Sequence, residues 1–499
     1  MTNNLQQRHA PSEGSNSGVL NPSQVRCVLW TLLLGGTVVS FSNSALNPAI
    51  PIFMSVFSVD IVMGGWVLNG YVLAMSVGLM LSGYLSKNFD FKRIYVAAII
   101  GFMAGSLLGM LATSMASIIV ARAIQGLSGG LIIPLSIGML YQIYPSNKQG
   151  QVMALWGIVI MLSLALGPLA GAYLVAHFEW WTLFAITIPL SILVIAMTLW
   201  WVPSLPKSQI HNDLHKAAPF DMKGFLALIL WLMALTLWLN TLKSHLVIGQ
   251  LGYMVVFIIT ASIWWRYELK HTNPLLNVRL FANKTYLHSI ILSITQTLGM
   301  MMGLLFLPII IQEVMHKSAI WTGVVLMVAT LITSITTHFA GNIVDKQGAR
   351  NIGSAGVIIC GVAMILLSVC LFDPNIWVIM LIMSIHGVGV GLAYLPTTTV
   401  GLGSLNKHLV TDGAALNNIS RRILSTIFIT LATLYINSGG FELLTKLLSN
   451  LDMPGLLANP LVSPLIAPMQ EVFFALGIMM IVTLISARSL PSSNSSDYH

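Results

Sequence analysis

Along the chain, apolar runs long enough to cross a bilayer recur between short polar connections, from near Cys27 to near Arg488. A bilayer core is crossed by about 20 apolar residues in a helix, so each run predicts a membrane-spanning helix. The runs fall at residues 27–49, 66–84, 94–113, 117–140, 152–176, 180–202, 223–241, 246–265, 286–311, 320–342, 351–371, 376–400, 411–437 and 469–488. The expected fold is therefore an all-α membrane protein of 14 transmembrane helices, and an even number of crossings places both termini on one side.

Hydrophobic residues make up 56% of the 499 and charged residues only 8%. A soluble domain carries roughly one-quarter charged residues, so most of this surface faces lipid and a soluble multidomain protein is excluded. The formal charge of +8 does not point to nucleic acid, because no basic stripe with interleaved aromatics accompanies it. It is a topology signal. Of the 23 Lys and Arg, Lys243, Lys317 and Lys446 fall on the far side, Arg122, Arg421 and Arg422 fall within spans, and the other 17 lie on the side of the N-terminus. The positive-inside rule makes that side cytoplasmic. The polar, Ser- and Asn-rich start lacks the apolar core of a cleavable signal and reads as a disordered cytoplasmic tail. Cys27, Cys360 and Cys370 lack metal-ligand spacing, and His211 and His215 have no third ligand, so neither a metal nor a cofactor is expected.

Two loops resemble each other: GYLSKNFDFKR from Gly83 and GNIVDKQGAR from Gly341, with their glycines 258 residues apart. The same offset carries the start of the first span onto the ninth, so spans 1–6 and 9–14 read as two homologous six-helix bundles with an inserted pair between them. The expected organisation is a tail at 1–25, a bundle at 26–203, a cytoplasmic linker at 204–222, the inserted pair at 223–266, a second cytoplasmic linker at 267–285, a bundle at 286–489 and a tail at 490–499. The stretch from Ser438 to Pro468 contains FELLTKLLSNL, with helical apolar spacing that suits either a surface-lying helix or a plain loop.

Several motifs appear in order. The loop pattern G-x-L-x-D-R-x-G-R-K is degenerate at Gly83, Leu85, Lys87, Lys92 and Arg93 and fuller at Gly341, Asp345, Lys346, Gly348 and Arg350. ARAIQGLSGG in span 4 supplies Arg122, Gln125, Gly126, Gly129 and Gly130, and GPLAGA in span 5 supplies Gly167, Pro168, Gly171 and Ala172. WVLNGY with Trp66, Asn69 and Tyr71, ELKHTNPLLNVRLF from Glu268, LPIIIQEV from Leu307 and LPTTTVGLGSLN from Leu395 complete the set. Together these resemble the major facilitator superfamily, in particular the fourteen-spanner drug:proton antiporters of the EmrB/QacA type, over roughly residues 25 to 490. The resemblance implies a major facilitator fold and export of small molecules from the inner membrane. It also implies a periplasmic adaptor and an outer-membrane channel as partners if the cell has two membranes.

The candidate residues follow from chemistry. An Arg inside a span costs roughly 2.5 to 3.5 kcal/mol on insertion scales, so Arg122 faces a cavity or ties span 4 to span 1, with Gln125 on the same helical side. Arg421, beside Asn418, either lines the cavity with Arg422 or snorkels to the cytoplasmic rim. His386, mid-span, is either a proton carrier or ligand contact, or a buried neutral imidazole. The charged loops at Gly83, Lys87 and Arg93 and at Gly341, Asp345, Gly348 and Arg350 read as conformational latches or plain topogenic turns. Gly167, Pro168 and Gly171 read as a hinge or as packing. In the first span, where the family pattern has Asp, this chain has Ser42, followed by Asn47 and Pro51. No acid lies at mid-span. The expected cavity lining is Ser42, Asn43, Tyr71, Arg122, Gln296, His386, Asn418 and Arg421.

The leading expectation is secondary active, proton-linked export by alternating access, with a preference for neutral or anionic molecules over lipophilic dications. The alternatives are export of one anionic or neutral metabolite such as a siderophore, and a non-transporting receptor or scaffold. A membrane enzyme lacks its paired carboxylates or Ser/His/Asp set, and no Walker loop occurs in the sequence.

Overall fold

A computed structural model describes residues 21–203, 221–241, 247–271, 274, 276–347, 349–406, 409–437 and 466–491. The tail before residue 21, most of the first linker, the FELLTKLLSNL stretch, Gly348 and the side chains of Lys87 and Asp345 lie outside the described residues. Among those described, the regular elements are all helical: α1 (Pro22–Ala45), α2 (Ile50–Val56), α3 (Ile61–Asn88), α4 (Phe91–Met110), α5 (Met115–Ile143), α6 (Ser146–His177), α7 (Thr182–Ala185), α8 (Thr187–Trp201), α9 (Met222–Thr241), α10 (Val247–Lys270), α11 (Lys284–Ile309), α12 (Ala319–Gln347), α13 (Ala349–Cys370), α14 (Ile376–Gly403), α15 (Val410–Asn437), α16 (Ile466–Val482) and α17 (Leu484–Arg488). Thirteen of the described helical segments are long and apolar enough to cross a membrane. The 24-residue α10 is the fourteenth long helix.

Local chemistry sets the boundaries. Asp60 caps α3 by accepting from the Met63 amide at 3.0 Å, and Asp90 caps α4 through the Lys92 amide at 3.0 Å. The second span consequently starts at Ile61 rather than near residue 66. The first span is interrupted: after Ala45 the chain makes a 3-10 turn at Asn47–Ala49 and resumes as α2. Pro48 and Pro51 lack amide donors and sit at the first positions of these short elements, where a donor is not needed. α6 runs unbroken through Pro168.

The packing repeats along the chain. In the first repeat α3 and α4 pack on α5, α4 on α8 and α1 on α6; in the second α12 and α13 pack on α14, α13 on α16 and α11 on α15. The starts of α3 and α12, at Ile61 and Ala319, and of α4 and α13, at Phe91 and Ala349, keep the 258-residue offset of the two loops. The repeats meet chiefly through α6 against α12 and α3 against α15. α9 and α10 pack mainly on each other.

Glycines decide how closely α3 and α5 approach. A methyl group on Gly126 would strike the Tyr71 carbonyl, and one on Gly130 would lie 2.8 Å from the Leu79 amide nitrogen. The two glycines are one turn apart, so the backbones touch along a small-residue stripe. That contact sets Tyr71 beside Arg122.

Candidate functional site: a cavity between the repeats

Arg122 is fully buried on α5. Its Nη1 donates to Gln125 Oε1 at 3.0 Å, and Gln125 Nε2 donates to Ser106 Oγ at 2.9 Å. Ser106 also accepts from Thr187 Oγ1 at 2.8 Å, so one polar chain joins α5, α4 and α8. The guanidinium lies over the Tyr71 ring, 4.0 Å from its centre. Arg122 Nε and Nη2 and the Tyr71 hydroxyl have no hydrogen-bond partner among the described residues. The cation is thus held by a π face and one amide oxygen, with two donors left for water or an anionic group. Its neighbour is α3, not the first span that the sequence suggested.

A cavity of about 320 Å³ lies between the repeats. Asn43 on α1, Tyr71 and Met75 on α3, Gln296 and Met300 on α11, Tyr394 on α14 and Arg421 and Arg422 on α15 contribute to its wall. No Asp or Glu is among its lining residues. Arg421 hydrogen-bonds to the Tyr394 hydroxyl and to Asn418 Oδ1, while Arg422 Nη1 donates to the Val72 carbonyl of the other repeat at 3.3 Å. Both amide atoms of the buried Gln296 lack a partner among the described residues. Gln offers two donors and a carbonyl acceptor, and both amide atoms are covered in this arrangement.

Arg421 stands eleven residues beyond Val410, roughly 16 Å along the helix axis, and its side chain is on the cavity wall. Of the residues expected to line the cavity, Asn43, Tyr71, Gln296 and Arg421 do so. Four do not. Ser42 is fully buried behind the wall. Arg122 sits in the α3–α5 packing, and Asn418 stands behind Arg421 as its hydrogen-bond acceptor. His386 is buried against Gly299 of α11 and Met480 of α16, and its carbonyl accepts from Cys360 at 3.6 Å. Helix rotation turns Ser42, Arg122 and His386 into a bundle interior, whereas Asn418 is half-buried.

The expected conformational residues divide as well. Methyl groups on Gly167 and Gly171 would strike Ser44 and Ala45 of α1, whereas a methyl on Gly323 of α12 would sit 2.7 Å from the Pro168 carbonyl. Gly167 and Gly171 therefore close α6 on its own repeat, and Pro168 and Leu169 form the contact with the other. Gly83 has open space where a side chain would stand, so close approach does not require its glycine here. Lys92 Nζ donates to the Leu199 carbonyl at 3.0 Å, and Arg93 and Arg350 are exposed. At the opposite end, Gln312 Nε2 donates to the Pro48 carbonyl at 2.8 Å and to Thr322 at 3.3 Å, bridging the repeats.

Tyr394, Met75 and Met300 on the wall and Gln312 between the repeats belong to no motif in the sequence that marks them as functional. Thr297 beside Gln296, with Met300 one turn on, makes a stripe on α11 that spacing alone would have shown.

A model of the Major Facilitator Superfamily matches residues 32–430. The chain is 26% identical over 433 residues to YhcA of Bacillus subtilis, an uncharacterized MFS-type transporter, covering 86% of this chain and 79% of that protein. To the multidrug export protein EmrB of Haemophilus influenzae it is 25% identical over 416 residues, covering 81% and 80%. To the lincomycin resistance protein LmrB of Bacillus subtilis it is 24% identical over 466 residues, covering 93% and 95%. The inward-open xylose transporter XylE from E. coli has the same fold, with a TM-score of 0.63 at 14% identity over 95% of this chain and 98% of that one. With a family model spanning most of its length and relatives such as EmrB and LmrB, the chain belongs to the major facilitator superfamily, in keeping with the EmrB/QacA type.

Proposed function

We propose that this transporter exports small neutral or anionic molecules across the cytoplasmic membrane by alternating access, with both termini inside. The observation that carries this reading is the cavity wall: two arginines, an unsatisfied glutamine amide and no carboxylate. A cation entering such a site would lose hydration with nothing to replace it, whereas guanidinium forks bind carboxylate or phosphate groups bidentately. Alternating access is supported by two repeats that meet around the cavity through α6 against α12 and α3 against α15, with Gln312 and Pro48 joined at one end. Export is supported by the names of the relatives, an export protein and a resistance protein. His386 lies off the wall, so proton linkage in this reading falls to a substrate that carries its own proton or to an acid at a span end.

The test is efflux from proteoliposomes holding the purified protein, with size-matched anionic, neutral and cationic probes under an imposed proton gradient. Faster flux of the anionic and neutral probes supports the reading. Preferential movement of a quaternary dication overturns it, and absence of flux for every probe favours a receptor or scaffold.

A further inference from the structure

A second, larger cavity of about 780 Å³ lies away from the one between the repeats, in a groove between the inserted pair α9–α10 and the helices α11 and α15. We propose that this groove binds one anionic phospholipid of the surrounding bilayer, with its phosphate on Arg266 and its acyl chains along α11 and α15. The inference does not depend on what the transporter carries.

The floor of the groove is aliphatic, formed by residues such as Ile290 and Ile294 on α11 and Ile423 and Ile427 on α15. In a membrane-spanning region the material that fills such a space is hydrocarbon. Arg266 is the one charged residue among those lining it. Exposed Lys270 and Arg279 lie at the same end of α10, and Arg279 donates to the Leu269 carbonyl. Basic residues at the cytoplasmic end of a helix gap attract anionic lipid headgroups. Zwitterionic lipids bring no net charge to this end.

Aromatic rings complete the wall. The Trp231 and Trp264 rings stack with centres 5.1 Å apart and line the groove near Arg266. Trp264 is 4% exposed, and its ring closes the groove against α9. An aliphatic floor, a stacked aromatic wall and one guanidinium match the tails and headgroup of one such lipid.

The experiment presents the purified full-length protein in mild detergent with equal amounts of phosphatidylglycerol and phosphatidylethanolamine, then counts retained lipid by native mass spectrometry. We expect one phosphatidylglycerol per protein and little phosphatidylethanolamine. Arg266→Gln should reduce the preference for phosphatidylglycerol by roughly tenfold, the loss of one charge-assisted contact. Ala261→Phe fills the groove without touching its charge and should remove retention of both lipids. For wild-type protein, a phosphatidylglycerol with a photoreactive acyl chain should label α11 and α15 near Ile290 and Ile423, a readout that does not require any variant to fold. Equal retention of the two lipids, no retained lipid, unchanged retention in both variants, or labelling confined to other helices would each overturn the assignment.

Discussion

The guanidinium carbon of Arg122 lies 4.0 Å from the centre of the Tyr71 ring, with two of its nitrogens left without acceptors among the described residues. A cation–π contact in a desolvated site is worth about 2 kcal/mol. Together with the hydrogen bond to Gln125 it roughly offsets the burden of an Arg in the membrane, roughly 2.5 to 3.5 kcal/mol on insertion scales, so the net gain to folding is small. Arg122→Ala is expected to abolish efflux while abundance stays near normal. Membrane abundance and flux per molecule decide it: loss of the protein, with the surviving molecules still active, would show that Arg122 is a structural tie.

Glycine positions allow an internal contrast. A methyl on Gly171 meets the backbone of Ala45, which cannot move aside as a flexible side chain can, and overpacking of this kind costs about 1–3 kcal/mol. A methyl on Gly83 meets nothing within 4 Å, and in a helix Ala is favoured over Gly by about 0.5–1 kcal/mol. Gly171→Ala should therefore lower the thermal unfolding midpoint of the detergent-purified protein, while Gly83→Ala leaves it unchanged or raises it. A lower midpoint for Gly83→Ala would mean that this position is packed against a neighbour.

The spans were legible because a long uncharged run has few alternatives to crossing a bilayer, and because Lys and Arg crowd one side. The repeat was legible because two short Gly- and Lys-containing loops kept their spacing, and α3 and α12 start at that same offset. Direction within a helix was not legible. Arg122 and Arg421 are both arginines in apolar runs, yet one is turned into the α3–α5 packing and the other onto the cavity. One residue of rotation is about 100°, enough to exchange wall for interior, which is why Asn43 lines the cavity and Ser42 does not. Tyr394 and Met300 carry no signal of their own in the sequence, because such side chains are equally at home against lipid.

Orientation is testable with single cysteines in a cysteine-free background. Lys148 and Glu179 are both exposed, at opposite ends of α6. With 17 of the 23 Lys and Arg on the predicted inner side, Lys148→Cys should resist an impermeant thiol reagent applied to intact cells and Glu179→Cys should react. The opposite pattern would invert the topology and make the relatives' export direction inapplicable.

The charge preference of the cavity can be shifted at one residue. Asn43 lines the wall on α1, across the cavity from the arginines of α15, and Asn43→Asp changes its charge with almost no change in volume. A carboxylate there would compete with an anionic substrate for the guanidiniums and would offer a cation its only fixed negative charge among the lining residues. Arg421→Gln acts from the other side, removing one positive charge while keeping a donor near Tyr394. Both variants should slow efflux of an anionic probe by at least roughly tenfold, since a hydrogen bond to a charged group contributes about 1.5–3 kcal/mol. They should differ toward a monocation: Asn43→Asp should bring its transport above the wild-type level, and Arg421→Gln should leave it low, because Arg422 still faces the cavity and no acid has been added. The measurement is efflux of matched probes from proteoliposomes at equal protein load. Unchanged anion flux in both variants would mean that the substrate does not contact this wall, and the assignment of the cavity as the transport site would fall with it.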